Sequence, residues 1–129
     1  MANVTLINCR GIDPRFAALR FHHEPAQFLG MRSLLVRAGH RVSVIDALGN
    51  DLSAKRTAGE ILETAPDVVG INGYMDRWGR VLEFDTEVLA RVREARPDVK
   101  TVIGGSFTSH PDNRPTAIKA LDPDFAVVD

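Results

Sequence analysis

The sequence predicts an α/β fold in which a parallel sheet is covered by helices on both faces. Five short, β-prone apolar runs alternate with four longer segments whose apolar residues recur at helical spacing. The run around Val102 is apolar at consecutive positions, as strands buried on both faces are. Right-handed crossovers would join the strands. We see no internal repeat or linker, so residues 1–129 are predicted to form a single domain.

The predicted strands are short, and most end in a polar residue or a glycine. They lie at 4–8, 41–46, 67–72, 101–103 and 125–128. The fourth strand runs into Gly104 and Gly105, where the stretch VKTVIGGSFTSHP opens into a small polar loop. Two glycines let the backbone turn sharply and leave room for something bulky. Ligands of open α/β sheets bind beyond the carboxyl ends of the strands, so this loop is the first candidate site.

The predicted helices are marked by their spacing and by their end residues. The first, 25–38, is expected to turn an apolar stripe towards the sheet. The second has capping-box spacing at Thr57 and Glu60. The other two cover 81–96 and 116–121. The stripe of the first helix consists of Phe28, Met31, Leu34, Leu35 and Ala38, and that of the third of Val81, Phe84, Val88, Leu89 and Val92.

Composition argues against several classes of protein. Sixteen basic and seventeen acidic residues give a formal charge of -1, which indicates neither nucleic acid nor an anionic membrane as a partner. No apolar run approaches the roughly 20 residues of a membrane-spanning helix. The N-terminus lacks the plan of a signal peptide. The single cysteine, Cys9, excludes an internal disulfide and fits a reducing compartment, so we expect a soluble, cytoplasmic protein.

The sequence stops at Asp129, directly after the last predicted strand. A doubly wound sheet of this size normally carries a helix after its last strand, and without that helix one face keeps an uncovered apolar strip. Either another polypeptide covers that face, or the sequence is the front of a longer protein. A homo-oligomer formed through the uncovered face is one way to cover it.

Four segments, in this order and at this spacing, resemble the N-terminal cobalamin-binding domain of B12-dependent radical SAM enzymes. The segments are FLGMRSLLVRAGHRVSVIDA, PDVVGING, PDVKTVIGGSFTSHP and DPDFAVVD. The family has a helix that ends in a glycine before a V-x-V-x-D strand, then a P-D-V-V-G-I-S strand and an I-G-G-x-H/F-x-T turn. A D-x-V-V strand then leads into G-E-G-E. The match covers the sequence from about Pro25 to the end.

The resemblance implies a flavodoxin-like (Rossmann-type) doubly wound sheet of strand order 2-1-3-4-5, whose final helix is missing here. It also implies cobalamin as the cofactor, with the corrin ring over the carboxyl ends of the strands. No protein histidine is expected on the cobalt, since the D-x-H-x-x-G motif is absent. Glycines would allow close approach, polar side chains would hydrogen-bond and aromatic ones would cover the ring. The implied cofactor-binding residues are Asn72, Gly73, Tyr74, Met75, Trp78, Gly104, Gly105, Ser106, Phe107 and Thr108.

The family's iron–sulfur motif, C-x-x-x-C-x-x-C, is absent, so this chain is not expected to be catalytic alone. The resemblance implies a module that presents methylcobalamin to a radical SAM domain or subunit, for methyl transfer or related chemistry. That domain would lie in the same or a partner polypeptide. The alternative, from a different class, is a ligand-free flavodoxin-like protein-interaction module that docks through the uncovered strip.

The residues argue against other functions of flavodoxin-like folds. A phosphoacceptor receiver needs an acidic pair after strand one, an aspartate ending strand three and a lysine ending strand five. Asn8, Asn72 and Asp129 occupy those places. A nicotinamide site needs G-x-G-x-x-G after strand one, which is absent although Asp46 ends strand two. A flavodoxin needs a Ser/Thr-rich phosphate loop, and this chain has an arginine-rich one.

The long segment after strand one carries groups that could bind a ligand or lie in solvent. Its paired histidines, His22 and His23, lack a second ligand cluster and are predicted to be solvated, so no metal ligand is assigned. For the arginines both alternatives stay open; they are Arg10, Arg15 and Arg20. Cys9 is predicted to be a buried small hydrophobe.

Overall fold

The computed structural model describes residues 1–9, 26–73 and 79–128. Neighbouring strands pair in parallel in the order β2-β1-β3-β4-β5, which confirms the predicted flavodoxin-like sheet. Within these described ranges, no helix is long and apolar enough to cross a membrane. The strands are β1 (Asn3–Asn8), β2 (Arg41–Asp46), β3 (Val68–Gly73), β4 (Lys100–Gly105) and β5 (Phe125–Ala126). The helices are α1 (Ala26–Arg37), α2 (Ala54–Glu63), α3 (Arg80–Ala95), α4 (Ser106–Ser109) and α5 (Arg114–Leu121).

The register of the strands sorts the side chains onto two faces. Leu6, Gly70, Val102 and Phe125 form one row across β1, β3, β4 and β5. Residues in register point to the same side of a sheet. Leu6 belongs to the same apolar cluster as Phe28 of α1, so this row lies on the side of α1. We call this side the α1 face and the opposite side the α3 face.

The α3 face carries the main core of the molecule. On this side α2 packs against α3, and α3 packs against α5. Thr5 also points to this face, where its hydroxyl lies 2.6 Å from the hydroxyl of Thr64. Burial of this much apolar surface makes the α3 face the main source of stability. The strand residues buried here are Ile7, Ile45, Val69, Ile71 and Ile103.

The α1 face is covered by a single helix within the described ranges. Its buried cluster is small and consists of Val4, Leu6 and Phe28. Exposure rises along the row that leads away from α1, from 4% at Leu6 to 59% at Phe125. The part of the sheet between α1 and β5 is therefore partly open to solvent.

The buried stripe predicted for α1 is wrong in part. Phe28 is buried, but Leu34 is 67% exposed and Met31 is 43% exposed. At 3.6 residues per turn, Phe28 and Leu35 share the inner line of the helix, while Met31 and Leu34 share one flank. No other described element covers that flank, so its side chains meet solvent.

Three local predictions are also wrong. The N-cap of α2 is Ser53, whose hydroxyl accepts a hydrogen bond from the Arg56 N–H at 3.2 Å. Thr57 lies inside the helix, and its hydroxyl donates to the Ser53 carbonyl. The polar loop predicted after the glycine pair begins with a helical turn, α4, which makes five helices in the described ranges instead of four. β5 is shorter than predicted because its ladder with β4 joins only two residue pairs.

Candidate functional site at the carboxyl edge of the sheet

The carboxyl edge of the sheet brings together the last residues of four strands. Asn8 of β1 is in register with Asp46 of β2 and with Asn72 of β3. Asn72 and Gly73 of β3 are in register with the glycine pair of β4. One row therefore carries a carboxylate, two amides and a glycine. This edge is where ligands bind in open α/β sheets, and it holds four of the predicted site residues: Asn72, Gly73, Gly104 and Gly105.

Among the described residues, Asp46 supplies the acidic side chain at the carboxyl edge of the sheet. Its Oδ1 accepts hydrogen bonds from Asn8 Nδ2 and from the Gly49 backbone N–H, each at 2.8 Å. Asn50 Nδ2 donates to the Asp46 carbonyl oxygen at 3.0 Å. These bonds fix the carboxylate beside β1 and close the turn after β2. Asp46 therefore acts as an anchor for the local backbone.

Two glycines at the edge make room for atoms of the chain itself. Gly105 has a φ of 73°, a conformation that favours glycine, and a Cβ there would overlap the side-chain oxygen of Asn72. A Cβ on Gly73 would overlap the ring of Phe107, which is fully buried. At these two positions, the space that the glycines provide is used by Asn72 and Phe107.

The other predicted site residues are buried or lie outside the described ranges. Phe107 and Thr108 are fully buried in α4, where the Thr108 hydroxyl donates to the Gly105 carbonyl at 3.3 Å. Ser106 is the first residue of α4. The histidines and arginines of the segment 10–25 lie outside the described residues, as do Tyr74, Met75 and Trp78. That these residues bind a cofactor, and that cobalamin would be held without a histidine on cobalt, stay predictions.

Asp85 is a buried carboxyl group that sequence reasoning missed. It is 1% exposed on α3, and neither of its oxygens has a hydrogen-bond partner among the described residues. Burial raises its pKa to about 8, and the nearby Cys9 thiol offsets this in part. Burial, together with the neighbouring Asp85, raises the pKa of Cys9. At pH 7 the thiol is protonated, and most of the Asp85 carboxyl is protonated too.

The helical spacing of α3 contained the signal for Asp85. Position 85 lies four residues after Val81 and three before Val88, which places it in the buried stripe. Phe84, which was predicted for that stripe, is half-buried. The burial predicted for Cys9 is confirmed, at 1% exposed. A carboxylate inside an apolar stripe is thus the sequence pattern that indicates this pair.

Two surface grooves formed by described residues lie away from the carboxyl edge. The larger, of about 690 Å³, runs beside β2 and α2 and carries charges of both signs. The smaller, of about 360 Å³, lies at the other end of the sheet, where β4 and β5 begin. The charged side chains that line the larger groove are Lys55, Arg56, Glu60 and Glu63.

Asp124, in the smaller groove, ties the start of β5 to β4. Its carboxylate accepts hydrogen bonds from Lys100 Nζ at 2.9 Å and from the Thr101 N–H at 2.8 Å. The hydrogen bond from Lys100, followed by that from the Thr101 backbone, lowers the pKa of Asp124 to about 2. Arg93 of α3 donates to the Thr101 hydroxyl at 3.1 Å. This network positions β5 and explains how so short a strand keeps its register.

Comparison with known proteins identifies the fold. No protein-family model and no curated protein matches the chain. The chain is similar to the crystal structure of a CheY-like protein, TadZ, from Pseudomonas aeruginosa PAO1, with 15% identity and a TM-score of 0.61 over 99% of this chain and 87% of that one. It is also similar to the signal receiver domain of a modulated diguanylate cyclase from Desulfovibrio desulfuricans G20. There the identity is 12% and the TM-score 0.57, over 99% of this chain and 81% of the other.

The chain has the fold of a CheY-like receiver domain. The interpretation as a cobalamin-binding domain of a radical SAM enzyme is therefore wrong, and with it the methyl-transfer function and the radical SAM partner. The segments that suggested it are buried strands ending in glycine or a polar residue, and helices that stop at glycine. A parallel sheet of this topology needs such segments whatever it binds, so they indicated the fold and not the ligand.

Proposed function

We propose that this chain is a protein-interaction module built on the receiver fold that works without aspartyl phosphorylation. The observation that carries the proposal is the pair of amides, Asn8 and Asn72, at the carboxyl ends of β1 and β3. A phosphoacceptor receiver needs acids at those two places. The identity of the solved structures to this chain is low, so the proposal rests on the residues at this edge.

The chemistry of phosphoryl transfer does not fit the groups at this edge. A carboxylate can attack a phosphorus atom and can bind Mg²⁺, whereas a neutral amide is a poor nucleophile and supplies a weaker oxygen ligand. The residue after Asn8 is Cys9, which is buried with a raised pKa and is not a hard oxygen donor. Asp46 is engaged by Asn8 and Gly49. The described residues at the edge therefore do not fit the Mg²⁺ ion of a working receiver.

Exposed apolar side chains support the interaction role. Phe125 is 59% exposed and Val127 is 60% exposed, next to each other on one edge of the sheet, and α1 exposes several more. Contiguous apolar surface of this kind marks protein-binding sites on soluble domains. We also expect the module to act in the cytoplasm, as its cysteine usage suggests.

The test is exposure of the purified protein to Mg²⁺ and a small phosphodonor, acetyl phosphate, followed by intact-mass measurement. A working receiver domain in the same assay serves as the positive control. We expect the positive control to gain one phosphoryl group and this protein to gain none. A hydroxylamine-sensitive, Mg²⁺-dependent phosphoryl adduct on the wild-type chain would overturn the proposal.

A matched variant sharpens the result. Asn72→Asp restores the nucleophile at the end of β3, and Asn8→Asp in addition restores one acid at the end of β1. The side chains of Asn8 and Asn72 are both partly buried at the edge of the sheet. Circular dichroism therefore checks that each variant is folded. A phosphoryl group on the double variant, with none on the wild type, would locate the block to phosphorylation at these two amides.

A further inference from the structure

We infer that a second copy of this chain covers the open part of the α1 face, with α1 of each copy seated in the groove of the other. The inference rests on the proposed interaction function and names its surface and its partner. We call this part of the molecule the α1–β5 groove. It is formed by one flank of α1 and by the sheet residues Val102, Gly104, Phe125 and Val127.

The floor of the groove is flat and apolar. Gly70 and Val102 lie in one register row with Phe125, and a Cβ on Gly104 would lie 3.8 Å from Val127 Cβ. Gly70 is buried beneath the Leu6 side chain, whose Cδ2 would lie 2.9 Å from a Cβ at that position, so the floor lacks a side chain at Gly104 only. A helix can therefore approach this part of the sheet closely.

The wall of the groove is one flank of α1. The crossover from β1 to β2 is right-handed and carries α1 over those two strands, which turns the flank of Met31 and Leu34 towards β3. Both residues are exposed, at 43% and 67%. The groove therefore has an apolar wall on one side and the apolar edge of β5 on the other.

The exposed surface of α1 is also suited to fill the α1–β5 groove of a second copy. Besides Met31 and Leu34, α1 exposes Leu29 at 57% and Val36 at 46% on its opposite flank. Its outermost line carries Gly30 and Ser33, which are small enough to let a sheet approach, and ends in the exposed Arg37 at the last turn of the helix. A two-fold arrangement would place both α1 helices side by side between two sheets. One contact, repeated by symmetry, would then fill both grooves.

The amount of exposed apolar surface agrees with a dimer interface. The exposed parts of the large apolar side chains on α1 and beside β5 come to roughly 700 Å² per copy, close to the roughly 800 Å² that each partner buries in a standard interface. These side chains are Leu29, Met31, Leu34, Val36, Phe125, Val127 and Val128. Ile118 is exposed on α5, on the other side of the sheet, and is not part of this surface.

The test measures oligomeric state by sedimentation velocity from low micromolar to several hundred micromolar protein. We expect a monomer–dimer equilibrium for the wild type. Leu34→Asp on α1 and Phe125→Lys on β5 each place a charge in the interface and should weaken the dimer at least roughly tenfold. Ile118→Asp is the matched control and should dimerise as the wild type does. All three sites are exposed, and thermal melts verify that each variant is folded.

Mixing the two interface variants tests the geometry itself. In a mixed dimer, the helix with Leu34→Asp would lie in the groove with Phe125→Lys. The other groove would keep a wild-type helix and a wild-type Phe125, and would carry the aspartate only in its own wall. The mixture should therefore dimerise more tightly than either variant alone. A wild type that remains monomeric throughout would overturn the dimer, and so would a dimer insensitive to both variants or a mixture without recovery.

Failure of the dimer and failure of the proposed function give different results. A monomer that takes up no phosphoryl group overturns the dimer and leaves the phosphorylation-independent module in place. A wild-type chain that is phosphorylated overturns the proposed function whatever its oligomeric state.

Discussion

The two faces of the sheet contain similar strand residues but are covered very differently. On the α3 face, the helices α2, α3 and α5 bury isoleucines and valines completely. On the α1 face, one helix buries a small cluster and leaves Phe125 with 59% of its surface in solvent. The difference indicates that the α3 face supplies most of the stability of the described fold, while the α1 face contributes less.

The polar groups of the two faces support the same division. On the α3 side, even the carboxyl group of Asp85 is enclosed, although burial without a hydrogen bond is costly. On the α1 side, apolar groups such as Leu34 stay in water. The apolar packing on the α3 face encloses the Asp85 carboxyl group despite the cost of burying it. On the α1 face, the described residues leave apolar side chains in contact with solvent.

The largest effect that would test this comparison is the loss of a phenylalanine from each face. Phe107→Ala removes a fully buried ring from the α3 side and should lower the free energy of unfolding by about 3–5 kcal/mol. Phe125→Ala removes an exposed ring and should change it by less than about 0.5 kcal/mol. Urea denaturation at low micromolar protein measures both. Equal losses would contradict the unequal roles of the faces.

The next test is the pH dependence caused by Asp85, whose effect per pH unit is smaller than the loss expected for Phe107→Ala. Its pKa of about 8 in the folded state lies above the ordinary value of 3.8, so between these values the folded protein holds a proton that the unfolded chain releases. The free energy of unfolding should therefore fall as the pH rises from about 4 to about 8, by at most about 1.4 kcal/mol per pH unit, and level off above.

Asp85→Asn should remove this part of the slope. Glu87→Gln is the control, because Glu87 is exposed on the same helix, where it pairs with Arg91 at 2.9 Å, and should keep the wild-type slope. Denaturation midpoints measured at several pH values between about 4 and 8 check both variants. Parallel slopes for the wild type and Asp85→Asn would show that this carboxyl does not titrate as its burial requires.

The smallest effect compares one serine on each side of the sheet. Ser53 caps α2, so Ser53→Ala should lower the free energy of unfolding by about 1 kcal/mol. Ser33 lies on the exposed side of α1, where its hydroxyl donates to the Leu29 carbonyl within the helix, and Ser33→Ala should cost little or nothing. Thermal unfolding of both variants measures the difference. An equal loss for Ser33→Ala would give α1 a larger share of the stability.

Much of the sheet could be predicted from the sequence. The positions of the first four strands agree with the structure to within a residue or two at most ends, and their parallel arrangement is confirmed. The strand order, which was implied by the family resemblance, is confirmed as well. Helix periods and stop signals placed α1, α3 and α5. The N-cap of α2 was misplaced because Thr57 and Ser53 both satisfy the composition of a cap. Only the observed bond from Arg56 to Ser53 distinguishes them.

The candidate site was only partly predictable. Asn8, Asn72 and the glycine pair were recognised at strand ends, but the sequence could not show that Gly73 and Gly105 accommodate Phe107 and Asn72. The sequence predicts space for a cofactor at these glycines because the local pattern of a residue does not specify which distant segments pack against it.

The sequence by itself determined the class of fold, because periodicity, glycine stops and β-branched runs are local properties that each element needs in order to form. Tertiary structure alone decided which stripes are buried. The exposure of Met31 and Leu34, and the burial of Asp85, depend on which helices cover each face of the sheet. That coverage is set by the packing of segments far apart in the chain, which no single stretch specifies.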